Sequence, residues 1–236
     1  MISDSRQRAL EEFGRVFPSA EILPEANGAC RLLFDFQLYA EFEGVTLAED
    51  FGLEILLDAD FPGVAPMVKE TSNVISPTYE HFFADRWFCL GINGELVEGL
   101  ICNPSLVSFL EGPVTSYLYT ALFYQRYGRY PYGDRPHDAV GIMQFYSDRL
   151  EAPSDIVTLC LMREIVDGKY HGKSLCPCGS GKATRSCHGD IIRPLMSKPM
   201  RDAVARDFAF VVNRLDRLRK MREALSLVDA GLYLPS

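Results

Sequence analysis

The chain has 236 residues, of which 47% are hydrophobic and 24% are charged, so it can bury at least one full core. Its net charge of −8 is uneven: residues 1–150 hold 10 Lys+Arg and 22 Asp+Glu, whereas residues 151–236 hold 14 and 10. This acidic front disfavours nonspecific binding to nucleic acid, and the absence of an uncharged window of about 18 residues disfavours a membrane partner.

The compartment is predicted from the N-terminal segment and the cysteines. The segment has no apolar signal core, so we expect a soluble, cytoplasmic protein. Seven cysteines are an odd number, which argues against a secreted disulfide framework and predicts reduced thiols.

The first third of the chain predicts a helix followed by an antiparallel meander of three strands. Apolar residues recur with the helical period between residues 3 and 17. Residues 30–43 and 51–57 alternate apolar and polar side chains, which is typical of strands with one wet face. A turn rich in Pro and Gly leads to a weaker third strand at residues 67–75.

After Pro104 the apolar spacing changes from the strand period to the helical period. Gly112 and Pro113 mark one helix start, and Asp138 and Ser154 are candidate caps for two more. The helices are predicted over residues 112–128, 138–150, 154–166 and 199–229. The expected fold class is α+β: a small antiparallel sheet packed by helices, then a metal-binding module and a helical tail. We expect two domains, residues 1–150 and 151–236.

The sequence CPCGSGKATRSCHG, residues 176–189, is the most specific local pattern. Cys176, Cys178, Cys187 and His188 offer three thiolates and one imidazole, a common ligand set for tetrahedral zinc. The GSGK segment lets the backbone turn tightly between the ligand pairs. Four protein ligands leave no position for a reactive water, so the pattern predicts structural rather than catalytic Zn²⁺.

This pattern resembles the SEC-C motif, a small zinc module of many bacterial proteins. The resemblance covers residues 174–190 and implies bound zinc. It also implies a role in holding a protein partner, while a purely structural clip that orders the tail remains an equal alternative.

The sequence HFFADRWFCLGINGE, residues 81–95, places His81 eight residues before Cys89. The residues alone leave two interpretations of Cys89 open: a reactive thiol, or an inert thiol packed in a core strand. The other scattered cysteines are predicted to be core thiols: Cys30, Cys102 and Cys160.

The order of these elements resembles the ubiquitin-conjugating enzyme family, and most closely its divergent bacterial members. The resemblance spans residues 5–150, and its features are Pro62 and Pro66 in the turn, His81 with Cys89 and Leu90, and the NPSLVSFL segment at residues 103–110. It implies that Cys89 carries the C-terminus of a ubiquitin-like protein, or of another protein, as a thioester and transfers it to an amine. No cofactor is implied for that step.

The resemblance also implies partners and a setting. The partners are an activating enzyme that charges Cys89, the carried protein and an acceptor protein. The setting is a bacterial antiphage defence or stress operon.

Three further residues are candidates for the catalytic machinery. His81 either orders the cysteine loop or helps to deprotonate the thiol. Asp134 and His137 lie in YGDRPHDA, where a carboxylate or imidazole can take the proton of an attacking amine.

The sequence departs from the eukaryotic family at the oxyanion-stabilising asparagine. Phe82 and Phe83 follow His81 where the family has Pro and Asn. Asn93, Asn103 and the backbone N–H groups after the cysteine are the candidates for that role.

Two alternatives to a conjugating enzyme stay open. In one, the same fold is a catalytically inactive binding adaptor of the related RWD kind, with the zinc module as a second protein contact. In the other, a zinc-containing adaptor carries an unrelated α+β front half.

Overall fold

A computed structural model describes residues 2–132 and 138–229 of the chain, and shows an α+β protein of two units. Unit 1 comprises residues 1–135 and unit 2 comprises residues 136–236. The predicted domains meet instead at residue 150. The boundary between the units falls earlier because residues 138–149 form a helix that contacts two other helices of unit 2.

Unit 1 is a four-stranded antiparallel sheet packed by helices. Its elements are α1 (Ile2–Val16), β1 (Glu21–Pro24), β2 (Cys30–Phe42), β3 (Val45–Leu57), β4 (Met67–Glu70), α2 (Asn93–Cys102), α3 (Leu106–Phe109) and α4 (Thr115–Tyr127). The strands lie in the order β1-β2-β3-β4, a simple meander. A π-helical turn, Leu110–Val114, joins α3 to α4.

The alternation that predicted β2 and β3 determines which sheet face is buried. Leu32 on β2 lies opposite Ile55 on β3, and both side chains are fully buried. On α1, Phe13 meets the β2 residue Phe34 edge to face, with ring centroids 5.0 Å apart. The core of unit 1 therefore lies between the inner face of the sheet and the helices.

Five features of unit 1 differ from the sequence prediction. Strand β1 and helix α2 were not predicted, β3 begins at Val45 instead of residue 51, and the third predicted strand is limited to β4. The helix expected to begin at Gly112 begins at Leu106 instead. It starts earlier because the side chain of Ser105 caps α3 by accepting the backbone N–H of Ser108.

Unit 2 is helical in the described residues and contains the predicted metal motif. Its helices are α5 (Asp138–Arg149), α6 (Asp155–Asp167), α7 (Gly189–Leu195) and α8 (Lys198–Asp229). The predicted cap of α6 is confirmed, since Ser154 accepts the N–H of Val157, and Gly168 ends the helix at φ 64°. The buried hydroxyl of Tyr146 on α5 donates to Asp207 on α8 at 2.8 Å.

Candidate active site and metal centre

His81 and Cys89 lie directly opposite each other across a short hairpin. Phe82 pairs with Phe88 in an antiparallel bridge, and the N–H of Cys89 donates to the carbonyl of His81 at 3.0 Å. Residues 84–86 form the turn, and the N–H of Phe88 donates to Val68, which attaches the hairpin to the edge of β4. The eight-residue spacing in the sequence thus becomes a cross-strand pair.

Tyrosine side chains hold His81 on two sides. The hydroxyl of Tyr117 donates to the carbonyl of His81 at 2.7 Å, so this carbonyl accepts two hydrogen bonds. The ring nitrogen Nε2 of His81 lies 3.0 Å from the hydroxyl of Tyr130. The ring of Tyr79 meets the imidazole edge to face, with centroids 5.2 Å apart. These contacts fix both the backbone and the ring of His81.

Cys89 is half-buried, and the segment around it does not form the core strand of the packing interpretation. Burial raises the pKa of Tyr79 and Tyr117 well above the usual tyrosine range, and Cys89 lies close enough to contribute to both shifts. The two tyrosines next to Cys89 therefore remain neutral hydroxyls at physiological pH.

A buried ion pair fixes the hairpin to the end of β4. The carboxylate of Glu70 is fully buried and accepts the backbone N–H groups of Val74 and Ile75. Arg86, in the hairpin turn, donates to Glu70 at 3.0 Å and to the carbonyl of Ile75 at 2.9 Å. The same guanidinium lies 4.4 Å above the ring of Phe82. No local sequence pattern indicates this pair, because Glu70 and Arg86 are isolated charges 16 residues apart.

The residues after Cys89 separate the two asparagine candidates for oxyanion stabilisation. Gly91 has φ 149°, a conformation that favours glycine, and α2 begins two residues later at Asn93. Asn103 follows the other end of α2, about 15 Å along a ten-residue helix, and its side chain donates to Ser108. Only Asn93 lies at the end of α2 nearest to Cys89. The loop after the cysteine is short, because α2 already includes Gly94, which is buried.

The two remaining catalytic candidates, Asp134 and His137, lie outside the described residues. The neighbouring Asp138 is the first residue of α5, where the sequence predicted a helix start, and its carboxylate lies 3.8 Å from Arg214.

The four predicted metal ligands come together in unit 2. Cys176, Cys178, Cys187 and His188 each direct one ligand atom to a common point, with all four atoms within 4.8 Å of one another. Sγ of Cys178 lies 3.4 Å from Sγ of Cys187, and Nδ1 of His188 lies 3.1 Å from Sγ of Cys176. Sulfur ligands about 2.3 Å from a tetrahedral ion lie about 3.7 Å apart. The cluster therefore has the size and the donor set to hold a metal ion.

Backbone contacts shape this cluster on both sides. The N–H of Cys176 donates to the carbonyl of Lys182, which closes the tight turn that the glycines predicted. Nε2 of His188 lies 3.3 Å from the carbonyl of Glu151 and can donate to it, leaving Nδ1 for the metal. Hydrogen bonding from Ser180 lowers the pKa of Cys178 to about 6, whereas burial raises the pKa of Cys176. A thiolate is the form of cysteine that binds metal.

The prediction for the scattered cysteines is correct for one of the three. Cys30 is buried, and Arg6 donates to its sulfur at 3.2 Å. Cys102 and Cys160 are exposed. They differ from the prediction because their apolar sequence neighbours lie on helices, where adjacent residues face different directions.

Comparison with known proteins finds no matching family model, no matching curated protein and no matching solved structure. Among the helices of the described residues, none combines the length and the apolar character that crossing a membrane requires.

Proposed function

We propose that the protein is a ubiquitin-conjugating-like cysteine transferase. In this proposal Cys89 carries the C-terminus of a ubiquitin-like protein, or of another protein, as a thioester and transfers it to an amine. The observation that carries the proposal is the hairpin that holds half-buried Cys89 opposite His81. A thiol used only for packing needs no such partner.

The order of elements in unit 1 supports the proposal. A helix, a four-stranded antiparallel meander, the cysteine hairpin and further helices follow one another along the chain. Apart from the additional strand β1, this is the order that the resemblance to ubiquitin-conjugating enzymes implies for residues 5–150.

The chemistry requires two exchanges at one sulfur. The Cys89 thiolate attacks the carbonyl carbon of an incoming thioester, a new C–S bond forms, and the thiolate of the activating enzyme leaves. An acceptor amine then attacks the Cys89 thioester, an amide forms, the Cys89 thiolate leaves, and the amine loses its proton to a base. Each attack places negative charge on the carbonyl oxygen.

Asn93 and the N-terminal end of α2 support the stabilisation of that oxygen. Helix α2 begins four residues after Cys89, and its N-terminus carries the positive end of the helix dipole. In this proposal Asn93 takes the role that asparagine has in the eukaryotic family.

The proposal requires three protein partners, an activating enzyme, the carried protein and an acceptor, acting in the bacterial cytoplasm. An antiphage defence operon would supply them together.

The test compares three proteins: wild type, Cys89→Ser and the control Cys102→Ser, which removes an exposed thiol. Each protein is incubated with ATP and a lysate of the source cells. Non-reducing gels and intact mass spectrometry then detect any covalent adduct.

The expected result is an adduct on wild type and on Cys102→Ser that a reductant removes. Cys89→Ser should form a reductant-stable ester or no adduct, because an alkoxide is a poorer leaving group than a thiolate. If no variant is charged while an activating enzyme is demonstrably active, the transferase proposal fails.

A second candidate function is that of a catalytically inactive adaptor, and the exposure of Phe83 favours it. This ring, in the hairpin between His81 and Cys89, exposes 55% of its surface and is therefore accessible to a protein partner. Binding that persists in Cys89→Ser and is lost in Phe83→Ala would support the adaptor.

We also propose that the Cys/His cluster of unit 2 holds a structural Zn²⁺ ion, as the resemblance to the SEC-C motif implies. Three thiols and an imidazole suit zinc, and a complete set of four protein ligands suits a structural site.

Elemental analysis should find one zinc per chain in wild type and in Cys160→Ser, which removes a cysteine outside the cluster. Cys176→Ser should lose the metal, and wild type purified without chelator but free of metal would contradict the proposal.

A further inference from the structure

The second half of α8 exposes an apolar stripe that continues the buried face of its first half. The first half packs against α5, α6 and α7, and there Val204 and Val211 are fully buried. Leu215 and Leu218 follow four and seven residues after Val211, on the same face of the helix. They nevertheless expose 47% and 50% of their surfaces, and the neighbouring Met221 exposes 61%.

This stripe follows a strict seven-residue repeat. Val204, Val211 and Leu218 are seven residues apart, and Phe208 and Leu215 lie between them at spacings of four and three. Such spacing defines the a and d positions of a heptad abcdefg, the seam along which helices pair in a coiled coil. The seam is narrower than the broad apolar face of a helix that lies on a membrane, so its geometry favours another helix as the occupant.

Positive charge flanks the exposed part of this seam. Residues 212–221 hold four Lys+Arg and one Asp. Arg214 is at a g position and Arg219 at an e position, the two positions that border the seam. Arg214 lies 3.8 Å from Asp138, and Arg219 pairs with Asp216 on α8 itself. Exposed pairs of this kind are weak, so the excess of positive charge remains available to a partner.

These charges disfavour a second copy of this chain as the occupant. In a parallel pair of helices, each g position faces the following e position of the other helix, so Arg214 would meet Arg219. In an antiparallel pair, g faces g and e faces e, and arginine again meets arginine. A helix with Asp or Glu at these positions would instead form pairs of opposite charge.

We propose that the second half of α8 docks an acidic amphipathic helix of a partner protein. Apolar side chains of that helix cover Leu215, Leu218 and Met221, and its carboxylates pair with Arg214 and Arg219. The apolar contacts supply most of the affinity, and the charges select the partner. This surface includes neither the cysteine hairpin nor the metal ligands, so the inference is independent of the proposed transferase activity.

The test measures the binding of two synthetic helical peptides to the full chain by fluorescence anisotropy. Both peptides have three heptads with Leu at a and d; the acidic peptide has Glu at e and g, and the basic peptide has Lys there. Wild type should bind the acidic peptide at least about tenfold more tightly than the basic one. The difference should shrink when salt is raised from about 50 mM to about 0.5 M, because salt screens exposed charges.

Two double variants distinguish the seam from a general attraction between opposite charges. Arg214→Glu with Arg219→Glu reverses the charges beside the seam, so this variant should prefer the basic peptide. Arg217→Glu with Lys220→Glu makes the same change in net charge at positions c and f, on the opposite side of the helix. This matched control should weaken binding of the acidic peptide no more than about threefold, because its charges lie away from the contact.

A third variant tests the apolar contact. Leu218→Ser should weaken binding of the acidic peptide at least about tenfold, because a buried leucine contributes more than that factor to affinity. Its side chain is half exposed in the chain alone, so the fold should persist. Far-ultraviolet circular dichroism checks that every variant keeps its helices.

Several results would overturn the inference. One is that wild type binds neither peptide, or binds both equally; another is that the two double variants change binding to the same extent. Light scattering that shows a dimer of wild type and a monomer of Leu218→Ser would identify a second copy as the occupant. Binding to vesicles of anionic lipid that Leu218→Ser loses, without binding of the acidic peptide, would identify a membrane surface instead.

Discussion

At the scale of single residues, Glu70 is a buried charge that holds the hairpin of residues 81–89. Its carboxylate is fully buried and accepts from Val74, Ile75 and Arg86. Glu70→Gln keeps the shape of the side chain but removes the negative charge that pairs with the partly buried guanidinium of Arg86. It also places an NH₂ group, which is a donor, in a site where the surrounding groups are donors as well. Breaking a buried pair in this way costs about 3 kcal/mol. We expect that loss in the free energy of unfolding, measured with urea and Trp87 fluorescence.

The matched control is Glu25→Gln, which removes one partner of Arg31 at the surface. Both of those side chains are about one-third exposed, so the expected change is below about 1 kcal/mol. If Glu70→Gln lowers the free energy of unfolding no more than Glu25→Gln does, Glu70 does not hold the hairpin.

The sequence indicates the pair His81 and Cys89 but not the residues that hold them. The spacing within one short segment carries the information that these two side chains are near each other. Tyr130 lies 49 residues from His81, and Tyr117 lies 36 residues away. Contacts at such separations depend on how α4 crosses the sheet, and no local pattern encodes that. The four metal ligands, by contrast, lie within thirteen consecutive residues, and the structure brings all of them together.

At the scale of elements, the sequence predicted the long periodic segments and missed the short ones. The predicted helix at the N-terminus, the strand at residues 30–43 and the helix at residues 199–229 match α1, β2 and α8. Strand β1 has four exposed residues, so it shows no alternation of buried and exposed positions. Helix α2 contains two glycines and has no side-chain cap, so it lacks the signals of a helix start. Both missed elements depend on contacts made elsewhere in unit 1.

At the scale of the whole molecule, the two units hold their structure by different means. The main core of unit 1 consists of side chains from α1, the sheet and the helices up to α4. In unit 2 the segment between α6 and α7 contains one 3₁₀ turn and the four candidate ligands. A bound metal would supply the folding free energy that this segment lacks in apolar contacts, since structural zinc contributes on the order of 10 kcal/mol in small modules.

Metal removal should therefore unfold part of unit 2 and leave unit 1 intact. Thermal unfolding is followed in parallel by far-ultraviolet circular dichroism, which reports all helices, and by the fluorescence of Trp87, which reports unit 1 alone. At temperatures below the main unfolding transition, a strong chelator should reduce the helical signal. The midpoint of the Trp87 transition should stay within about 2 °C of its value without chelator. Cys187→Ser should reproduce this result without chelator, and Cys160→Ser should behave as wild type. The opposite result is a fall in the midpoint of the Trp87 transition that accompanies the loss of helical signal. It would mean that the two units unfold cooperatively, so that the metal stabilises unit 1 as well as its own module.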